Sequence, residues 1–211
     1  MNYSVDIQEK IVIYSFCTLC TNGTKICTLH KKESKMINQT EHRETDIYKR
    51  DTLIFGCGNI LFGNDGFGPE VANHLTDNYA LPEDVLVLDA GTGIRDYVFD
   101  LLLMEKKPKA IFIIDAVTYE GKNQGEVFEI ALSDVPREKM SDFALHQSPS
   151  SNLLAQLKAQ GVDVRVLGMH TDSIPNTIEP GLSSEARQAV PRASEWLFNE
   201  IQDNHNNRHN L

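Results

Sequence analysis

The chain has 211 residues, 41% of them hydrophobic and 24% charged, which is enough for one sizeable core and a short appendage. A formal net charge of -10 argues against a nucleic-acid backbone as partner, because that interaction draws on clustered Lys and Arg. No apolar run reaches the roughly 18 residues of a membrane span, and the N-terminus lacks a basic segment followed by an apolar stretch, so the expectation is a cytoplasmic protein with no membrane partner.

Residues 1–50 read as an extension outside the core. Cys17, Cys20, Cys27 and His30 have the spacing C-x2-C-x6-C-x2-H, which fits three thiolates and an imidazole around a tetrahedral Zn²⁺. Two other readings compete: a poorly ordered polar extension, or translation that begins at Met36. The body is expected over 51–203, with a flexible tail over 204–211.

From Asp51 onward, strand-like and helix-like segments alternate, as in a βαβ fold. A first strand is expected over Thr52–Gly56, followed by a glycine-bearing loop to Gly68. Pro69 suits the first position of a helix, with Glu70 in its first turn and Val71, Ala72 and Leu75 on its apolar face. A second strand covers Val85–Leu88, and the helix after Gly93 buries Tyr97, Val98, Leu101 and Leu102. The third, Ala110–Ile114, is apolar at every position, as befits a central parallel strand covered on both faces. Gly125–Ile130 reads as a strand suited to an antiparallel edge. A helix over Pro149–Ala159 takes Ser148 as cap and Gly161 as stop. Val162–Leu167 is the fifth strand, Ser183–Gln202 the last helix, and Asp203–Leu211 a frayed end. The fold class is therefore α/β: a three-layer α/β/α sandwich around a mostly parallel five-stranded sheet.

Three aspartates fall where strands of this sheet run out: Asp65 in Gly-Asn-Asp-Gly, Asp89 in Leu-Asp-Ala-Gly-Thr-Gly, and Asp115 in Ile-Ile-Asp-Ala. Open α/β sheets bind ligands outside the carboxyl ends of their strands. Each aspartate also has a plain reading as a turn former or cap. Together they would repel one another on one rim unless a cation or donors relieved them, and that favours a site. His146, before a helix, can reach the same rim, and His170, after the fifth strand, could also reach it. His74, His205 and His209 lie on a helix or in the tail. The loop 56–68 lacks the glycine spacing of a dinucleotide fingerprint and has no Gly-Lys-Ser or Gly-Lys-Thr. Cys57 reads as a small buried residue rather than a nucleophile.

The stretch Gly-Cys-Gly-Asn-Ile-Leu-Phe-Gly-Asn-Asp-Gly-Phe-Gly-Pro-Glu-Val, with Asp89-Ala-Gly-Thr-Gly, Asp115-Ala-Val, His146 and Ile178-Glu-Pro-Gly-Leu-Ser, resembles the hydrogenase maturation endopeptidases. It is most similar to the group associated with coenzyme F420-reducing hydrogenases, and the match spans about 51–202. The resemblance implies a phosphorylase/hydrolase-like sandwich that trims the C-terminus of a [NiFe] hydrogenase large-subunit precursor. It implies that Asp65, Asp115 and His146 contact the metal and carry catalysis, with Asp89, Asn59 and Gly91 in support. The first acid is Glu in several relatives and Asp here. The Ni²⁺ is implied to arrive with the precursor, so the resting enzyme is expected to be metal-free, although Cd²⁺ or Zn²⁺ could occupy the same ligands. Water is activated either by the nickel as a Lewis acid or by Asp65 or Asp115 as base. Two alternatives stand beside this reading: a non-proteolytic nickel-recognition or assembly factor for the large subunit, and a small-molecule or nucleotide-binding α/β domain.

Overall fold

The computed structural model describes residues 47–134 and 151–209. The Zn²⁺ reading of Cys17, Cys20, Cys27 and His30, the cap Ser148 and the site candidate His146 lie outside the described residues.

Five strands form one sheet: β1 (Thr52–Cys57), β2 (Val85–Gly91), β3 (Ala110–Val117), β4 (Val127–Ile130) and β5 (Asp163–His170), in the order β2-β1-β3-β5-β4. The described residues also form four helices: α1 (Phe67–Asn78), α2 (Ile94–Leu103) and α3 (Ser151–Ala159), which lie between strands, and α4 (Ser184–His209), which follows β5. All pairings are parallel except β4 on β5, so the expected antiparallel edge strand is present. No described helix is long and apolar enough to cross a membrane.

The alternation of side chains along the strands splits the core in two. Leu53, Phe55, Ile111 and Ile113 pack on one face with Ile94, Val98 and Leu101 of α2 and with Leu154 and Leu157 of α3. Ile54, Phe112 and Ile114 pack on the other with Phe67, Val71 and Leu75 of α1 and Ala189, Ala193 and Leu197 of α4. β1 is buried at all six positions and β3 at its first five, which is why both read as near-continuous apolar runs. Each fully buried large side chain here contributes about 1.5–3 kcal/mol. On the edge, Arg165 of β5 grips Glu129 of β4 through two bonds of 2.8 Å, pairs with Glu200 of α4, and lies 4.7 Å from the Trp196 ring centroid. The hydrogen bonds from Arg165 hold the Glu129 carboxyl below its ordinary range.

Several boundaries differ from the expectations. Ile47, in a short 3-10 turn (Ile47–Lys49), is 4% exposed and joins the core, so the packed body begins before Asp51. α1 starts at Phe67, which makes Pro69 its third residue; the first three helical N–H groups lack an intrahelical partner, so proline fits there equally well. Tyr97 and Leu102 are only half-buried on α2. β3 continues past Asp115 through Ala116 and Val117, because its ladder to β5 runs to the pair Val117–His170. His170 is therefore the last residue of β5 rather than a residue beyond it. Most of the supposed frayed tail is helix: α4 runs on to His209, propagating from the turn anchored by buried Ile201 into polar residues.

Candidate active site

The strand order reverses at β1. Its connection through α1 leads outward to β2, and the chain then returns across to β3 on the other side. The crevice between the carboxyl ends of β1 and β3 is thus the switch point at which such sheets bind ligands. Asp65 comes from the loop leaving β1, and Asp115 from β3 itself.

Glycine brings these two segments close. A Cβ on Gly68 would stand 2.3 Å from the Cys57 carbonyl oxygen and 2.4 Å from that of Ile114, so α1 begins with its backbone pressed onto the ends of β1 and β3. The reciprocal contact is Gly56, whose Cβ would lie 2.3 Å from the Gly68 oxygen. Just before this crossing, the 3-10 turn Gly63–Gly66 carries Asp65 and packs against β3, the strand of Asp115.

Asp65 is 1% exposed, a burial that a mere surface turn former does not need. Its Oδ2 accepts the Asn59 N–H at 2.6 Å, and its own N–H donates to the Phe62 oxygen at 3.1 Å. Gly58, at φ +123°, makes room for it: a Cβ there would fall 1.8 Å from the Asp65 carbonyl oxygen. Asn59 does more than support one carboxylate. Its Oδ1 accepts the Leu61 N–H at 3.0 Å and its carbonyl accepts the Phe62 N–H at 3.0 Å, so one residue ties the Asp65 carboxylate to a tight turn centred on Ile60 and Leu61.

Asp115 is half-buried and pairs in register with Gly168 of β5. By alternation it shares the face of Ile113 and Val117, the face covered by α2 and α3. Asp89 separates from it here. It keeps the parity of Val85 and Val87 and so belongs to the opposite face. It is exposed, and its Oδ1 accepts the Gly91 N–H at 2.9 Å, across the point where the β1–β2 register skips Ala90. Gly91 takes φ +51° there and accepts the Gly58 N–H at 2.9 Å. Asp89 and Gly91 thus shape the bulge that carries the loop of Asp65. The single acidic rim expected from the sequence resolves into Asp65 and Asp115 at the crevice and Asp89 beside it.

His170 is a satisfied histidine. It is 5% exposed, its Nδ1 accepts the Tyr119 N–H at 3.0 Å, and its Nε2 lies 3.2 Å from Asp172 Oδ1. A backbone N–H only donates, so the ring proton sits on Nε2 and donates to Asp172. Both nitrogens are engaged, which leaves none for a metal. Among the described residues no three His, Cys, Asp or Glu side chains converge as a metal cage.

One positioning group was not foreseen. Asn64, 7% exposed, donates to Thr171 Oγ1 at 3.0 Å and accepts the Ser183 N–H at 2.8 Å, tying the turn of Asp65 to the β5 exit and the start of α4. Ser183 in turn caps α4 by accepting the Ala186 N–H at 3.2 Å. The bond from the Ser183 N–H to Asn64 spans 119 residues of sequence and has no local signal.

The sequence profile described as "Hydrogenase maturation protease" matches residues 69–200. A protein of Methanocaldococcus jannaschii, described provisionally as a hydrogenase maturation protease, is 37% identical over 155 residues, 72% of this chain and 97% of its own. Subunit delta of the coenzyme F420 hydrogenase of Methanothermobacter thermautotrophicus is 33% identical over 159 residues, 73% of this chain and 96% of its own. Among solved structures, a [NiFe] hydrogenase maturation protease of Thermococcus kodakarensis superposes with a TM-score of 0.54 at 26% identity, covering 74% of this chain and 96% of that one. The hydrogenase maturating endopeptidase of Escherichia coli shares the fold, with a TM-score of 0.56 at 24% identity over 72% and 93% of the two chains.

Proposed function

The chain belongs to the hydrogenase maturation protease family and is a hydrolase of the endopeptidase class, and we propose that it removes the C-terminal peptide of a [NiFe] hydrogenase large-subunit precursor once nickel has been inserted. The observation that carries this reading is the buried Asp65 carboxylate, held by Asn59 in a turn that packs on the strand of Asp115 at the β1–β3 switch point.

In this reading the nickel is cargo of the substrate, and Asp65, Asp115 and His146 are the groups that read it. Two carboxylates and an imidazole with open positions suit a borderline divalent ion. His146 precedes α3 by five positions, and α3 packs on the face of the sheet that Asp115 shares. Fixing Oδ2 of Asp65 through a backbone N–H keeps the carboxylate oriented before the precursor arrives. The nickel polarises the scissile carbonyl, and one of the two carboxylates takes a proton from the attacking water. Asp89, Asn59 and Gly91 act by shaping the loop. The coenzyme F420-reducing hydrogenase is the proposed target, supported by the named relative at 33% identity.

The deciding measurement is the mass of a purified nickel-loaded large-subunit precursor before and after incubation with the protein. Loss of a short C-terminal peptide with the wild type, and its retention with Asp65→Asn, Asp115→Ala and His146→Ala, is the expected result. A nickel-free precursor should remain uncut. Binding without cleavage by the wild type would overturn the proposal, and equal cleavage of the nickel-free form would remove the dependence on nickel.

A further inference from the structure

The turn that Asn59 organises has an unusual composition. Tight turns favour Gly, Pro, Asn and Asp at their centre, yet the central residues here are Ile60 and Leu61, exposed by 53% and 43%. A second exposed apolar segment lies against it. Phe62 forms an isolated parallel bridge with Glu179; the Glu179 N–H donates to the Leu61 oxygen at 2.9 Å, and the Gly63 N–H to the Glu179 oxygen at 2.8 Å. Leu61 and Ile178 immediately precede the bridged pair, which makes them cross-strand neighbours about 5 Å apart. Ile178 is 70% exposed and Ile174 38%. Pro175, next to Ile174, has ring carbons 3.1 Å from where a Cβ on Gly63 would stand, which brings this segment to the same turn.

Folding leaves four branched side chains between 38% and 70% exposed on two segments that are bonded to each other. We propose that Ile60, Leu61, Ile174 and Ile178 form the docking surface for an extended apolar stretch of the precursor polypeptide; this deepens the reading of the site above and rests on it. Three observations point to that occupant. The surface is continuous with the candidate site, since Asn59 binds both the Asp65 carboxylate and the Leu61 N–H. An endopeptidase must hold a polypeptide across its reacting centre, and extended segments are commonly held by strand addition. Ile178 fits such an addition: with Glu179 bonded toward Leu61 and Gly63, the backbone groups of Ile178 point the other way, along an edge that pairs with no other strand among the described residues. Exposed Glu179 and Asp172, the latter 80% exposed at its side chain, flank the patch, so the matching stretch has an apolar middle and basic neighbours.

The test uses the full chain and the nickel-loaded precursor, with cleavage rate measured against precursor concentration and binding measured separately by calorimetry. Ile178→Asp and Leu61→Asp should each raise KM and Kd about tenfold or more while kcat stays within about twofold, as loss of one buried branched side chain predicts. Leu103→Ser, on an equally exposed residue at the far end of α2, should change neither. Unchanged KM and Kd in both aspartate variants, with normal melting curves, would overturn the docking surface while leaving the protease reading intact. Failure of the wild type to cleave would overturn the protease reading instead, and calorimetry would still decide the docking surface. A concentration-dependent dimer abolished by Ile178→Asp would assign the patch to a second copy of the chain and also overturn the proposal.

Discussion

The β1–β3 crevice and the β5 exit sit on the same rim of one sheet and hold similar residue types, but they resolve their polar groups in different ways. At the β5 exit, His170 gives one ring nitrogen to Tyr119 and the other to Asp172, while Thr171 accepts from Asn64 and donates to the Ser173 carbonyl. That region is finished by internal hydrogen bonds. At the crevice, Asp65 is as deeply buried, and the Asn59 N–H fixes its Oδ2 within the turn that leaves β1. The contrast teaches that burial and rim position do not by themselves mark chemistry. What distinguishes the crevice is that the fold orients a carboxylate there, at the place where the strand order reverses.

The contrast can be broken most sharply at Asp65. Asp65→Asn retains an oxygen to accept the Asn59 N–H and removes only the charge, so precursor processing should fall by about 10²–10⁴-fold while the melting curve barely moves. A variant that processes normally would erase the distinction between the two regions. Next in size is Gly68→Ala. The added Cβ meets two backbone carbonyl oxygens that cannot swing aside, and the expected loss is about 3 kcal/mol in urea denaturation, with processing reduced as the Asp65 turn shifts. His170→Ala should behave in the opposite sense to Asp65→Asn. It strands the Tyr119 N–H and costs about 2 kcal/mol of stability, yet processing by the folded fraction should stay within about threefold. A loss of processing as deep as that of the aspartate variant would make His170 a metal reader after all.

The smallest effect sharpens the β5 side. Glu126, next to the β4 edge, has its carboxyl lowered from 4.5 to about 2, first by the hydrogen bond from Lys122 and then by the Asn123 N–H. Because the folded value lies below the unfolded one, this pairing stabilises the protein above about pH 4.5 and is lost as pH falls through about 2. Lys122→Met should therefore lower the melting temperature slightly at pH 7, with the difference from wild type closing as pH falls through about 2. An unchanged melting temperature would show that the pair contributes nothing measurable, as many exposed pairs do.

Much of this architecture could be read from local pattern. The run Ala110–Ile114, apolar at every position, announced a strand covered on both faces, whereas the close crossing of Gly56 and Gly68 emerged only from the packing. Strand ends were less legible, because Asp115 looks like a terminator in sequence while the ladder to β5 carries β3 two residues further. The end of α4 was hidden for a related reason: its last turns have no apolar face to betray them. In the site, Asp65 was found from its place after β1, but the division between Asp89 and Asp115 needed the parity of side chains across a bulge. The roles of Asn64 and Thr171 depend on bonds between residues 107 positions apart, which no local period encodes.

The reversal of strand order has a consequence in time. Asp65 and Asp115 are 50 positions apart (115 − 65), and β2 with its flanking helices must be laid down between them. β1 and β3 pair in parallel, a non-local step that is slow to form and that rewards the chain only once the loop between them is closed. A growing or partly folded chain that has completed β1 and β2 therefore owns one carboxylate and no crevice. On the proposed reading, hydrolytic competence waits for the third strand and for His146 after it.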